Sequence, residues 1–293
     1  MRQAGRIGKL TLVAIAAAWL GAASASAAPN TGRVSLSGGV DFTTAYFFRG
    51  ILQERDGFII QPYGELGWAL YKGENDDGKG DWSGLSLFGG TWASLHSQET
   101  NHTASSLDAF YELDWYGGLQ AQFMDNKVTT RAFYIAYSSP SDAFKTVQEV
   151  DLSAALDDSE WLGTFALKPS VLFATETENS AMGPERGQYL ELGVGPSFPI
   201  VDSETMPMTL TFPIKVGLSL DDYYEVSDHN EDTFGYASTG AKLSFPLSFI
   251  PEDYGAWSAT GGVNVYYFGN NTRKLNNEDE VWVVGTWGVS MAY

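Results

Sequence analysis

Charged residues, most of them acidic, recur at every second position in several segments of this chain, where they alternate with apolar ones. In VQEVDLSAAL, for example, Glu149 and Asp151 alternate with Val150 and Leu152. Successive residues of a β-strand point to opposite faces, so this spacing predicts strands with one polar and one apolar face. Carboxylates gathered on the inner face of a closed sheet would attract cations. The residues that the pattern places on the polar face are Asp41, Arg49, Glu65, Asp108, Glu112, Asp114, Glu149, Asp151 and Glu191.

The charged residues of this polar face have two interpretations, and the sequence leaves both open. Arg49 either shapes ion selectivity as a lumen cation or pairs with Glu54, Glu65 or another carboxylate of the wall. The carboxylates likewise either line a cation-favouring pore or form crosslinks to Arg49, Arg131 and Lys215 with no open path. A barrel of about twelve strands lies between the filled and the open cases.

A second acidic group lies in LDDYYEVSDHNEDTF, between Asp221 and Asp232. Oxygen ligands at this density suit Ca²⁺ or a bridge to lipopolysaccharide phosphates, but the spacing of an EF-hand loop is missing. We expect a solvated loop and predict no metal site and no cofactor.

The three histidines, His96, His102 and His229, are the candidates for catalysis. His96 lies near Ser94 and Ser97, and His229 follows Asp228, but no distinctive motif surrounds them and their spacing does not suit zinc. The chain has no cysteine, which excludes thiolate chemistry. We therefore predict no catalytic residues and keep a lipid-modifying enzyme only as an alternative.

The N-terminal residues 1–27 have the features of a signal peptide. Three basic residues lie within the first nine positions, an apolar run follows from Leu10 to Ala23, and Ala25-Ser26-Ala27 is a small-residue cleavage step. The run is shorter than the roughly 20 residues of a comfortable membrane span. We expect cleavage before Ala28, with an uncleaved anchor as the alternative.

The composition of residues 28–293 limits the class of protein. Of 17 basic residues, three lie in the leader, which leaves 14 against 36 acidic ones, a balance that argues against a nucleic-acid partner. Nine Trp, 15 Tyr, 17 Phe and 32 Gly are many for a soluble domain. Since no later segment reaches the length of an apolar helical span, a membrane β-barrel is the remaining way to satisfy the backbone in lipid.

The alternating segments predict an all-β fold, a single antiparallel transmembrane β-barrel of about twelve strands (10–14 are compatible), with both termini in the periplasm. A soluble β-sandwich is the structural rival, because its strands also alternate. Connections 117–127 and 73–80 look long for inner turns. The opening stretch is read as one strand through Arg49. The other strand candidates are 58–71, 83–96, 107–115, 128–138, 147–156, 163–176, 189–195, 210–220, 233–249, 256–268 and 280–293.

The segment TWGVSMAY resembles the C-terminal β-signal that the outer-membrane barrel assembly machinery reads. Its matching residues are Gly288, Met291 and Tyr293, the last of which would lie among the interfacial aromatic residues.

The stretch TAYFFRGILQ is similar to the first strand of outer-membrane porins of the TorF type. The matching residues are Thr44, Tyr46, Phe48, Arg49, Gly50, Ile51 and Gln53. LFGGTWASLH and LDAFYELDWYGG are further echoes, so that the resemblance covers about the first third of the chain. It implies an outer-membrane barrel of porin type and brings no catalytic residues.

These observations together predict an outer-membrane porin in a Gram-negative bacterium that passes small polar or cationic solutes through an acidic lumen. The expected partners are outer-membrane lipid, lipopolysaccharide, the assembly machinery and small solutes. The alternatives are a non-conducting structural or adhesive barrel and an outer-membrane lipid-modifying enzyme.

Overall fold

A computed structural model of the chain describes residues 32–73, 82–98, 109–203, 206–226 and 230–293. The predicted signal peptide and Asp108 lie outside these residues. Within them, three short helical segments occur, at Ser159–Leu162, Gly163–Phe165 and Glu252–Tyr254, and a fourth at Asn270–Leu275. No helix of the described ranges is long and apolar enough to cross a membrane.

Twelve antiparallel strands form one closed ring, because each strand pairs with the next and the last pairs with the first. In the closing pair, Val40 lies opposite Val289 and Ser37 opposite Ala292. The prediction of a twelve-stranded antiparallel barrel is confirmed. The strands are β1 Val34–Thr43, β2 Ile59–Lys72, β3 Trp82–His96, β4 Phe110–Phe123, β5 Val128–Ser138, β6 Val147–Leu156, β7 Ser170–Glu178, β8 Gln188–Val194, β9 Ile214–Asp221, β10 Phe234–Pro246, β11 Ala256–Phe268 and β12 Val281–Ala292.

The exposed side chains of the barrel wall are mainly apolar, and the charged side chains of the wall strands lie mainly inside, together with apolar ones such as Leu172. Trp68 of β2 is 59% exposed on the outer face, whereas Glu112 of β4 is 4% exposed on the inner face. A β-sandwich would show the opposite, with the apolar face sealed between two layers. Other exposed apolar residues of the wall are Val34, Leu66, Leu70, Leu87, Trp115, Leu119, Leu152, Leu192, Val263 and Val283.

The stretch after β1 leaves the wall, which corrects the prediction that one strand runs on through Arg49. The wall strand ends at Thr43, and Tyr46–Phe48 then pairs with Ile51–Glu54 as a separate two-stranded sheet. Tyr46 and Phe47 point to opposite faces of this small sheet, and each is less than 10% exposed. Both faces of the sheet are therefore buried. We call residues 46–54 the plug hairpin. The end of the barrel from which this hairpin enters the lumen is called the hairpin end. The opposite end of the barrel is called the terminal end.

Three other boundaries differ from the sequence prediction. The strand β4 continues through Gly117 and Gly118 to Phe123, because these glycines allow close approach of the backbone: a Cβ on Gly118 would lie 2.1 Å from the carbonyl oxygen of Ala132. The predicted strand 163–176 begins only at Ser170. The predicted strand around LTFPIKVGLSL is broken at Pro213, which has no N–H to donate, into Met208–Thr211 and β9. The first piece pairs with Ser197–Val201, an extension of β8.

Candidate functional site

The plug hairpin turns at Arg49 and Gly50, whose φ angles are 46° and 84°. Two successive positive φ angles are typical of the type I′ turn that joins strands through two residues. Glycine adopts this conformation readily, whereas an arginine there is uncommon. The turn therefore carries a long cation to the middle of the barrel, on a segment that is not part of the wall.

Arg49 binds carboxylates on β6. Its two terminal nitrogens donate to the two oxygens of Glu149 at 2.8 and 2.7 Å, and Asp151 lies 3.7 Å away. The hydroxyl of Tyr223 accepts another hydrogen bond at 2.8 Å. This geometry favours the interpretation of Arg49 as a paired structural cation.

Aromatic rings enclose the same guanidinium. The ring of Tyr189 lies 4.3 Å from Arg49 Cζ, with Phe48 and Tyr223 at 5.1 and 5.2 Å. Burial alone would lower the pKa of Arg49, but Glu149, Tyr223, Tyr137 and Asp151 outweigh burial and raise this pKa well above its ordinary value. The guanidinium is therefore charged at neutral pH.

The plug hairpin contacts wall strands on several sides of the lumen. The ring of Tyr46 packs against Trp92 at 5.4 Å and its hydroxyl donates to Glu112 at 2.9 Å. Phe47 stacks on Phe268 of β11 at 5.2 Å. Since the hairpin contacts β3, β4, β6 and β11, it lies across the lumen at its level.

The predicted pore-lining residues do not form one ring. Glu112, Asp114, Glu149 and Asp151 are all buried around the plug hairpin. Three more lie elsewhere: Glu65 binds Arg131 at 2.6 Å, Glu191 binds Lys215 at 2.9 Å, and Asp41 lines a cavity.

The plug hairpin separates two cavities. The larger one has an empty volume of about 1110 Å³ including its mouth, and it is lined by the underside of the hairpin and by polar wall residues such as Asp41, Lys215, Lys242 and Asn264. The smaller one, of about 490 Å³, lies among the loops of the hairpin end and is lined by Phe48, Gln53 and Lys145, among others. Residues of the plug hairpin therefore line both cavities, and the turn at Arg49 and Gly50 lines the larger one.

The structure brings one predicted histidine next to a serine. Nε2 of His96 lies 2.9 Å from Oγ of Ser94, and Nδ1 lies 3.9 Å from a carboxylate oxygen of Glu54. The ring of Tyr111 stacks on His96 at 4.5 Å. Ser94 has no exposed surface, so a substrate does not reach it in this state. His102 and His229 lie outside the described residues.

The acidic connection between β9 and β10 is not a fully solvated loop, which corrects that expectation for its first half. Tyr223, Tyr224 and Glu225 are buried inside the barrel end. In the described ranges, no group of three or more His, Cys, Asp or Glu side chains could hold a metal ion. Sequence reasoning missed the two tyrosines, although an aromatic pair in an acidic loop was a visible signal.

The C-terminal strand gives each of its three candidate assembly residues a structural role. Gly288 leaves room for Asp41, whose Oδ1 would lie 1.9 Å from a Cβ at that position. Met291 lies opposite Gly38, and the backbone of Tyr293 exchanges hydrogen bonds of 2.7 and 2.9 Å with Leu36. Recognition by the assembly machinery stays a prediction.

Comparison with known proteins gives structural likeness only. No family model matches the chain, and no curated protein does. The chain is similar to LpxR from Salmonella typhimurium (8% identity, TM-score 0.45, 88% of this chain and 99% of that one). It is also similar to an outer membrane channel from Pseudomonas putida F1 (10%, 0.45, 91% and 97%) and to the NanC porin (10%, 0.41, 88% and 98%). Scores this low support no conclusion about function, so the resemblance to TorF-type porins stays a prediction.

Proposed function

We propose that the chain is an outer-membrane channel for small polar solutes whose lumen is closed by the plug hairpin in the conformation described. The membrane assignment rests on the inverted barrel: a wall with Trp68 and Leu152 outside and Glu149 inside suits lipid around it and water within it. The predicted signal peptide and terminal strand agree with export to the outer membrane.

The observation that carries the channel function is the polar cavity below the plug hairpin. A barrel with a purely structural role has no need of a polar space open to solvent, whereas a channel needs one on each side of its constriction. The hairpin is covalently tied to the wall only at its two ends, and its two strands pair with each other and not with any of the twelve wall strands. It is therefore the part of the lumen that can move without breaking the barrel.

The tight packing around Arg49 favours the second candidate, a barrel that never conducts. The two functions differ in one measurement, the current through planar bilayers before and after the hairpin is removed. In the test variant, residues 45–55 are replaced by a short Gly-Ser linker. In the control variant, the same linker replaces residues 248–253 of a terminal-end turn.

We expect rare current steps from the wild type and the control, and steady steps from the variant without the hairpin. Its current is expected to favour K⁺ over Cl⁻, because Glu112, Asp114, Glu149 and Asp151 then face water. Silence from a variant whose shifted gel mobility shows that it is folded would establish the non-conducting alternative.

A further inference from the structure

The connection between β11 and β12, residues 269–280, holds the plug hairpin through one side chain. Asn276 accepts a hydrogen bond from the backbone N–H of Leu52 and donates one to the carbonyl oxygen of Gly50, both at 2.8 Å. Asn276 is 1% exposed. One buried carboxamide thus satisfies a donor and an acceptor of the hairpin backbone.

A second contact from the same connection reaches the hairpin turn through the β9–β10 connection. Asn271 donates to the carbonyl oxygen of Tyr224 at 2.9 Å, and the hydroxyl of Tyr224 donates to the carbonyl oxygen of Arg49 at 2.7 Å. The carbonyl groups of both central turn residues are therefore held by side chains from other connections.

The ion pair of Arg49 and the hydrogen bonds of Asn276 join the hairpin to different parts of the barrel. Arg49 ties the hairpin to β6 inside the lumen, where neither charge is exposed. Asn276 ties it to a connection at the hairpin end, whose short helix Asn270–Leu275 ends one residue before Asn276. The backbone amide of Asn276 is itself fixed by the carbonyl oxygens of Thr272 and Arg273, each at 3.0 Å.

We infer that residues 269–280 are a latch for the plug hairpin, which must release Leu52 and Gly50 before the hairpin leaves the lumen. Loss of the carboxamide leaves a buried N–H and a buried carbonyl without this partner, which favours the released state. The effect of the latch on conductance rests on the proposed channel function. Movement of the hairpin does not rest on that function and is measured separately.

Hydrogen–deuterium exchange of the folded barrel in lipid nanodiscs tests the latch. In Asn276→Ala, we expect the amides of the whole hairpin, including those of the Phe48 and Ile51 pair, to exchange about tenfold faster than in the wild type. Tyr224→Phe, which keeps the ring and removes the hydrogen bond to Arg49, is expected to act in the same direction. If Asn276→Ala does not fold, Asn276→Asp decides the question, because it keeps the acceptor for the Leu52 N–H and removes the donor to Gly50.

The matched control is Asn179→Ala, which removes a side-chain hydrogen bond of 2.8 Å to Thr146 between two other connections of the hairpin end. Its hairpin amides should exchange at the wild-type rate. Faster exchange of Leu52 alone, or no change in either variant, would overturn the latch. Faster exchange of the whole hairpin without any current would leave the latch standing and remove the channel function instead.

Discussion

Arg49 and Glu149 form a bidentate ion pair in which neither side chain has any exposed surface. The two residues are 100 positions apart in the chain, so the pair joins the turn of the plug hairpin to the distant strand β6. Removing both charges from water is costly, and the pair compensates only while both partners are present.

Replacement of Arg49 is therefore expected to destabilise the barrel strongly. Arg49→Met leaves Glu149 and Asp151 buried without their cation, and breaking such a buried pair costs about 3–5 kcal/mol of the free energy of unfolding. Urea unfolding of the barrel in lipid vesicles, followed by tryptophan fluorescence, measures the loss.

The control for this prediction is Arg55→Met. Arg55 lies 3.8 Å from Asp279, with both side chains about 40% exposed, and a surface pair of this kind contributes at most about 1 kcal/mol. If Arg49→Met and Arg55→Met lose the same free energy of unfolding, the buried Arg49 pair contributes no more to stability than a surface pair does.

Gly50 provides a second test of the hairpin turn. Its φ of 84° is strained for any residue with a Cβ, and that Cβ would lie 2.7 Å from the ring of Tyr236. We expect Gly50→Ala to cost about 1–3 kcal/mol by urea unfolding. Gly261→Ala, where a Cβ meets no atom within 4 Å, should change stability little, and a similar loss there would count against the strain argument.

Alternation along the chain was sufficient to predict the barrel wall. Side chains of period two on a closed sheet have only two possible directions, so Glu149, Asp151 and Val150 could be placed from their order alone. The count of about twelve strands came from the number of alternating segments.

The plug hairpin could not be predicted by the same reasoning. Phe47 lies at the same alternate positions of the chain as the polar residues Asp41 and Thr43. The structure shows why an aromatic residue is there: Phe47 belongs to a sheet with two buried faces. Arg49-Gly50 was matched to a family motif, but nothing in the spacing of single residues says that its turn packs inside a lumen. Contacts such as that of Tyr224 with Arg49 join distant segments, and a single sequence does not show which segments meet.

Because Leu152 points outward, we expect a charged residue at this position to hinder folding of the barrel into a membrane. Leu152 lies in the middle of β6 and is 51% exposed. An arginine at the bilayer midplane costs about 2–4 kcal/mol, so Leu152→Arg should lower the fraction that folds into vesicles, as read by gel mobility without heating. Trp161→Arg, in the terminal-end helix outside the wall, should fold as the wild type does. If Leu152→Arg folds equally well, the outer face does not contact hydrocarbon.

The Ser94 and His96 pair gives a last prediction, about reactivity. A serine at 2.9 Å from an imidazole nitrogen has the geometry of an activated nucleophile. Ser94, however, has no exposed surface, and its partner His96 lies against Tyr46 and Glu54 of the plug hairpin. A fluorophosphonate probe is therefore expected to leave the wild-type barrel unlabelled, as judged by the mass of the intact protein. Ser94→Ala serves as the control for labelling elsewhere. Labelling of the wild type that is lost in Ser94→Ala would show that substrates reach this serine, and the enzyme alternative would then replace the channel as the better account of the lumen.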